Sequence, residues 1–180
     1  MNTLGYAILG LISKEKMTGY DLSKVFNSTV ADFWNANQSQ IYPELKKLVQ
    51  DELIQYEVIV QGEFLEKKVY SITKKGKATL MKWLSEEEPP IPQSKDIFKL
   101  RIYFAEHLDK EDLLQKLETR RQMCENLLAR YQVKSLEYQN LEHIASTKLG
   151  DFLLLKGAII QLKAQLSWLD ESIHYIQISQ

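Results

Sequence analysis

The sequence predicts a mainly α-helical chain with one small β-hairpin, built as a compact N-terminal domain followed by a helical dimerisation domain. Three observations predict it. Apolar residues recur at helical spacing over most of the 180 residues. Only the stretch from about 53 to 73 alternates instead. Between the halves, Glu86-Glu87-Glu88-Pro89-Pro90-Ile91-Pro92 packs three like charges and three prolines into seven residues. Such a segment cannot continue a helix and favours an extended path. It divides the chain into residues 1–88, a proline-rich linker at 89–93 and residues 94–180.

In the first domain, residues 4–13 place Leu4, Ile8, Leu11 and Ile12 on one helical face. Thr18-Gly19-Tyr20-Asp21 fits a capping box, with the threonine hydroxyl accepting a free backbone N–H and Asp21 in the positive first turn. A second helix follows over roughly 19–30 and a third from about Ser39 to Gln50. Strands come next at about 53–60 and 67–73, around Gln61-Gly62-Glu63-Phe64-Leu65-Glu66. In the first, Ile54, Tyr56, Val58 and Val60 alternate with Gln55 and Glu57, the period of a half-buried strand. A fourth helix at about 74–87 closes the segment. Helix, helix, helix, hairpin, helix is the element order of a winged helix-turn-helix, a fold that serves both nucleic-acid binding and protein interaction.

The third helix has two chemistries. Ile41, Leu45, Leu48 and Val49 gather on one side; Ser39, Gln40, Pro43, Lys46, Lys47 and Gln50 gather on the other, with Tyr42 at the flank. Hydroxyl, amide and ammonium groups are what phosphates and base edges accept. In this fold the start of the second motif helix meets base edges. Ser39, Gln40 and Tyr42 are therefore the candidates for the groove floor, and Lys46 and Lys47 for phosphates. Thr18 and Tyr20 stand near the start of the second helix, and Lys67, Lys68 and Tyr70 on the returning strand. With Ser39 as cap, Pro43 falls in the first turn, where a missing N–H does least harm.

The second domain reads as a long helix over 110–143, with Leu113, Leu117, Cys124, Leu127, Tyr131, Tyr138 and Leu141 at 3-4 spacing. A cleaner one follows. Phe152, Leu155, Ile159, Leu162, Leu166, Leu169, Ile173 and Ile176 are spaced 3,4,3,4,3,4,3 without a break. Sustained a/d spacing favours helix pairing, so these eight residues are the candidate dimer interface. Packing against the 110–143 helix of the same chain is the alternative, and both hold together without conflict.

Composition excludes more than it assigns. Residues 1–85 carry 11 lysines, no arginine and 9 acids; the remainder carries 12 bases and 15 acids, for a net charge of −1. Charge alone does not advertise DNA. The apolar run from Leu4 to Ile12 is too short to span a bilayer and lacks a basic leader, so a cytoplasmic protein is expected. One cysteine, Cys124, excludes an internal disulfide and reads as buried filler. His107, His143 and His174 form no metal-spaced cluster, and no P-loop, G-x-G-x-x-G or G-x-S-x-G is present. No enzyme, metal or cofactor is expected. Trp34, Trp83 and Trp168 read as core residues or as the wall of an effector pocket between the domains.

Four segments together resemble a known family: Ala7-Ile8-Leu9-Gly10-Leu11-Ile12; Thr18-Gly19-Tyr20-Asp21-Leu22; Gln40-Ile41-Tyr42-Pro43-Glu44-Leu45-Lys46-Lys47-Leu48; and Lys68-Val69-Tyr70-Ser71-Ile72-Thr73-Lys74-Lys75-Gly76. They are similar to the PadR family of transcriptional regulators. Residues from Asp96 to Phe104 and the long tail resemble its longer branch, with a virulence-activator-like C-terminal helical domain. The resemblance implies a homodimeric winged-helix regulator of double-stranded DNA, typically a repressor, often responsive to a small aromatic or drug-like effector. Two features depart from it: the hairpin turn has two acids and no arginine, and the first 85 residues have no arginine at all. They sustain an alternative reading as a protein-interaction adaptor that does not bind DNA.

Overall fold

The first helix, α1 (Thr3–Lys14), starts at Asn2, whose Oδ1 accepts the Gly5 amide at 2.8 Å. A computed structural model supplies these coordinates and describes residues 1–27, 38–61, 65–87, 95–138 and 148–178. Contacts divide the chain into two compact units, Met1–Ile91 and Pro92–Gln180. The linker at 89–93, Trp34, Leu141 and His143 lie outside the described residues, as do the ends expected for the second helix and for the 110–143 helix.

In the first unit, α1 is followed by a two-residue strand β1 (Met17–Thr18), α2 (Gly19–Phe26), α3 (Gln38–Gln50), β2 (Ile54–Gln61), β3 (Leu65–Ile72) and α4 (Lys74–Leu84). The capping box closes as its residues require. The Asp21 amide donates to Thr18 Oγ1 at 3.1 Å, and the Thr18 amide donates to Asp21 Oδ2 at 2.9 Å. Hydrogen bonds from the Thr18 hydroxyl and amide hold the Asp21 carboxyl below its ordinary value of 3.8, with Lys67 and Lys24 assisting. A carboxyl depressed in the folded state stabilises above its unfolded pKa, and that contribution is lost as pH falls through the folded value. Thr18→Ala is expected to cost about 1 kcal/mol in urea unfolding at neutral pH. Its deficit relative to wild type should narrow once the pH drops below the carboxylate range.

The third helix ends in a Schellman turn: Leu53 N–H reaches Leu48 O at 2.9 Å and Glu52 N–H reaches Val49 O at 3.0 Å. Glu52 there takes a left-handed φ of 57°. The sheet order is β1-β3-β2, antiparallel throughout, with Tyr56 opposite Tyr70, Met17 opposite Tyr70 and Thr18 opposite Val69. Ile8, Leu9, Leu22, Phe26, Ile41, Leu45, Leu48 and Ile54 are fully buried and make the core, with Tyr70 and Leu80 beside them. Trp83 packs on this core and stacks on Tyr6 at 4.6 Å between ring centroids.

Two expectations need correction here. The alternation in β2 does not produce a strand buried along one face: Ile54 is buried, but Tyr56 and Val58 are 41% and 49% exposed. The helices cover only the base of the hairpin. And α3 begins at Gln38, so Pro43 stands in its second turn rather than its first. Proline has no N–H for the Ser39 carbonyl, and the helix ladder is interrupted there.

The second unit comprises α5 (Ile97–Tyr103), a 3-10 turn at Ala105–His107, α6 (Lys110–Ser135), a second 3-10 turn at Leu136–Tyr138 and α7 (Leu149–Ile178). The helix expected over 110–143 thus gives way to a 3-10 turn after Ser135. Leu117 and Cys124 of α6 and Leu169 and Ile173 of α7 form the core between them, with Leu162, Leu166 and Ile176 packed alongside. Arg121 ties the pair by donating Nε to Asp170 Oδ1. Cys124 is buried, and burial pushes its thiol pKa up, which suits packing and not thiolate chemistry.

Candidate nucleic-acid interface

The face of α3 turned from the core carries Ser39, Gln40, Tyr42, Pro43, Lys46, Lys47 and Gln50, all exposed. Ile41, Leu45 and Leu48, fully buried opposite, fix the rotation of the helix about its axis. Five of the expected contact residues therefore share one open surface.

The short strand β1 brings the rest toward them. Its pairing with β3 fastens the start of α2 to the base of the hairpin, so Thr18 lies against Val69 in the sheet register. Tyr20 stands out from the first turn of α2, 68% exposed. Lys67 and Lys68 are exposed on β3; Lys67 lies near enough to help depress the Asp21 carboxyl, and Lys68 Nζ sits 4.4 Å from the Tyr56 ring centroid. A cation held over a ring in this way keeps its charge while its reach is restricted.

Tyr42 links the two helices of the motif. A Cβ placed on Gly19 would meet Tyr42 Cε1 at 2.7 Å, so the ring lies directly over the first residue of α2. The glycine makes room for it. Gly19→Ala is expected to turn the ring out of this seat with little loss of stability, since the obstacle is the far end of a flexible side chain. The test is DNA affinity against urea stability: the first should fall several-fold while the second stays within about 1 kcal/mol of wild type.

Tyr70 is placed differently from the expectation. It is only 8% exposed, and burial raises its hydroxyl pKa, with Lys68, Tyr56 and Tyr42 close enough to influence it. It is a core residue beneath the surface, supporting Tyr42 and Tyr56 instead of meeting solvent.

Residues missed by sequence reasoning complete the seat of α3. Glu44 is 7% exposed although it follows Pro43 on the polar side. Its Oε2 accepts from Asn2 Nδ2 at 3.0 Å, while Oε1 is buried without a hydrogen-bond partner among the described residues. Oε1 lies where a Gly5 Cβ would be, 2.7 Å away, at the positive N-terminal end of α1. One asparagine thus caps α1 and holds α3 to it. The local signals were an asparagine before the first helix and a glycine three residues on. Their partner Glu44, 42 positions away, left no periodic trace.

The helical seam of the second unit packs at least in part against α6 of the same chain, the alternative that its spacing left open. Leu155, Leu169 and Ile173 are buried, and Leu162, Leu166 and Ile176 pack against the α6–α7 core. Phe152 meets Tyr138 at 5.8 Å between ring centroids, and Ile159 is half-buried. The unbroken 3-4 stripe is filled largely from its own chain, because the long α6 runs beside α7. What sequence reasoning overlooked is a short apolar patch near the start of α7: Leu149, Leu153 and Ile160 are exposed and fall within about 40° of one another, opposite the buried stripe, before Ser167 and Glu171 turn the same face polar.

Among the described residues no group of histidine, cysteine or carboxylate side chains has the arrangement of a metal site, and no helix is long and apolar enough to cross a membrane.

Comparison with known proteins bears on both units. Residues 8–82 match the transcriptional regulator PadR-like family, and residues 94–177 match the virulence activator alpha C-term family. The negative transcriptional regulator PadR of Bacillus subtilis is 37% identical over 181 residues, 98% of each chain. The structure of Bacillus subtilis PadR in complex with operator DNA superposes with a TM-score of 0.91 at 34% identity, covering 97% of this chain and 99% of that one. The same protein in complex with p-coumaric acid gives 0.86 at 31% identity, covering 98% and 99%. Identity of this extent along both units, joined to a winged helix whose α3 turns an open polar face outward, establishes that the chain belongs to the PadR-like family of transcriptional regulators, which are not enzymes.

Proposed function

We propose that the chain is a cytoplasmic, homodimeric, sequence-specific DNA-binding repressor that a small aromatic acid releases from its operator. The observation that carries the DNA-binding part is the shared open surface of Ser39, Gln40, Tyr42, Lys46 and Lys47, held against the α2 start by the Tyr42–Gly19 contact. Ser39, Gln40 and Tyr42 address base edges from the start of α3. Lys46, Lys47, Lys67 and Lys68, with Thr18 and Tyr20, address phosphates on either side. The similar Bacillus subtilis protein is known bound to operator DNA and to p-coumaric acid, which supports both halves of the reading.

Dimerisation draws on α7, through the incompletely buried members of its stripe, Phe152, Ile159, Leu162, Leu166 and Ile176, together with exposed Leu149, Leu153 and Ile160 near its start. A monomer leaves these side chains in contact with water, and a two-fold partner covers them. Two reading heads on one dimer then engage two half-sites, the second at the effective concentration set by the first.

The proposal is tested by anisotropy of labelled DNA fragments selected from the source genome, titrated with protein and then with p-coumaric acid. Saturable, salt-weakened binding that the acid reverses is expected. Absence of specific binding across the pool would favour the protein-interaction adaptor instead, a reading that the acidic hairpin turn and the arginine-free first 85 residues keep in view.

A further inference from the structure

Two side chains bound the open face of α3, and each is fixed against a different neighbouring helix. Tyr42 and Glu44 stand about 200° apart around α3 at the helical repeat, and Ser39, Gln40, Lys46 and Lys47 all fall in the outward arc between them. Tyr42 lies over Gly19 at the start of α2. Glu44, on the other flank, is buried against the start of α1. Its Oε2 accepts from Asn2 Nδ2 at 3.0 Å, and its Oε1 occupies the space left by the missing side chain of Gly5. Between the two, Pro43 has no N–H for the Ser39 carbonyl. The turn carrying Ser39 and Gln40 is therefore held less by its own ladder and more by what its flanks grip.

For stability alone, a carboxylate is a poor choice at position 44. Its Oε1 is buried with no hydrogen-bond partner among the described residues, and an unsatisfied buried carboxylate oxygen destabilises a fold. An unbranched apolar side chain of similar length would fill the same space, and Asn2, which is exposed, would give its amide to water. What the carboxylate supplies is direction. A hydrogen bond to a helix cap restricts the roll of α3 to a narrow range of geometry, whereas apolar packing tolerates small rotations.

We propose that Glu44 is a positioning residue for sequence recognition: through Asn2 it sets the roll of α3 so that Ser39 and Gln40 meet base edges in register. The assignment rests on the DNA-binding reading above and adds a residue that itself touches no DNA. Long lysine side chains follow a phosphate through a small roll, but base-edge hydrogen bonds do not. Loss of the Glu44–Asn2 bond therefore lowers discrimination between sequences and leaves sequence-independent binding in place.

The experiment measures the affinity of the full-length protein for a genomic fragment selected by wild type and for an unrelated duplex of equal length, beside urea unfolding. Glu44→Met is expected to unfold at a urea midpoint equal to or above that of wild type. Its ratio of selected to unrelated affinity should fall about tenfold, the scale of one base-edge contact. Asn2→Ser keeps a side-chain cap on α1 but removes the amide that reaches Glu44; its ratio should fall several-fold and decides the matter should Glu44→Met not fold. The double variant should discriminate no worse than Glu44→Met, since both changes break one bond. A ratio unchanged from wild type overturns the proposal, as does a fall that accompanies a matching loss of stability or of binding to the unrelated duplex. A folded wild type that selects no fragment overturns the DNA-binding reading itself.

Discussion

Alanine at Ser39, Tyr42 and Lys46 together is expected to remove specific DNA retention while leaving a folded protein. Each base-edge contact is worth roughly 1–3 kcal/mol, and a lost phosphate contact weakens binding to all sequences alike. The two base-edge losses in each half-site, doubled by the two-fold axis to roughly 4–12 kcal/mol, match the usual margin of about 4–10 kcal/mol between specific and non-specific binding, and the lost Lys46 contacts weaken both. The fold should survive, because all three side chains are exposed and the helix is held by Ile41, Leu45 and Leu48 on its other face. Mobility shift against an unfolding curve separates the two effects. A variant that unfolds like wild type and also retains DNA like wild type would show that α3 is not the reading helix.

The largest effect on stability is expected at Gly76. A Cβ there would lie 2.0 Å from the Leu53 carbonyl oxygen and 2.9 Å from Ile72 Cγ1. The carbonyl cannot retreat. It accepts both the Thr73 amide and the Thr73 hydroxyl at 3.1 Å, and Thr73 Oγ1 in turn caps α4 by accepting the Gly76 amide at 3.0 Å. Gly76→Ala therefore forces α4 away from the base of the hairpin. A loss of about 3 kcal/mol or more is expected, in the upper range for single substitutions. Urea unfolding followed by the fluorescence of Trp83, whose ring sits on α4, reports it directly. A midpoint unchanged from wild type would mean that the close approach of α4 to Leu53 is not maintained in solution.

The first unit was readable because its elements carry their own signals. Period-3.6 apolar spacing marked α1 and α3, period-two spacing marked the hairpin, and Thr18 with Asp21 marked the start of α2. What escaped is non-local. A two-residue strand such as Met17–Thr18 is too short to have a period, yet it fastens α2 to β3. The burial of Glu44 depends on Asn2 and on the absence of a side chain at Gly5, a relation between two helices that no window along the chain contains. Tyr70 reads like a wing residue beside Lys67 and Lys68 until its register opposite Tyr56 and Met17 places it inside. The α7 stripe was found correctly as an apolar seam. It packs against α6 of the same chain, the alternative the spacing had left open, because heptad spacing says that a helix packs and not against what.

On this reading, two copies of α3 address two half-sites together. Hydroxyl-radical footprinting of the wild-type protein on a fragment selected from genomic DNA tests it most directly. Protection in two blocks about one helical turn apart, roughly 34 Å, or a multiple of that, on one face of the duplex and related by a two-fold sequence pattern, is the expected result. Retention of DNA without such paired protection, or no protection on any selected fragment, would contradict it.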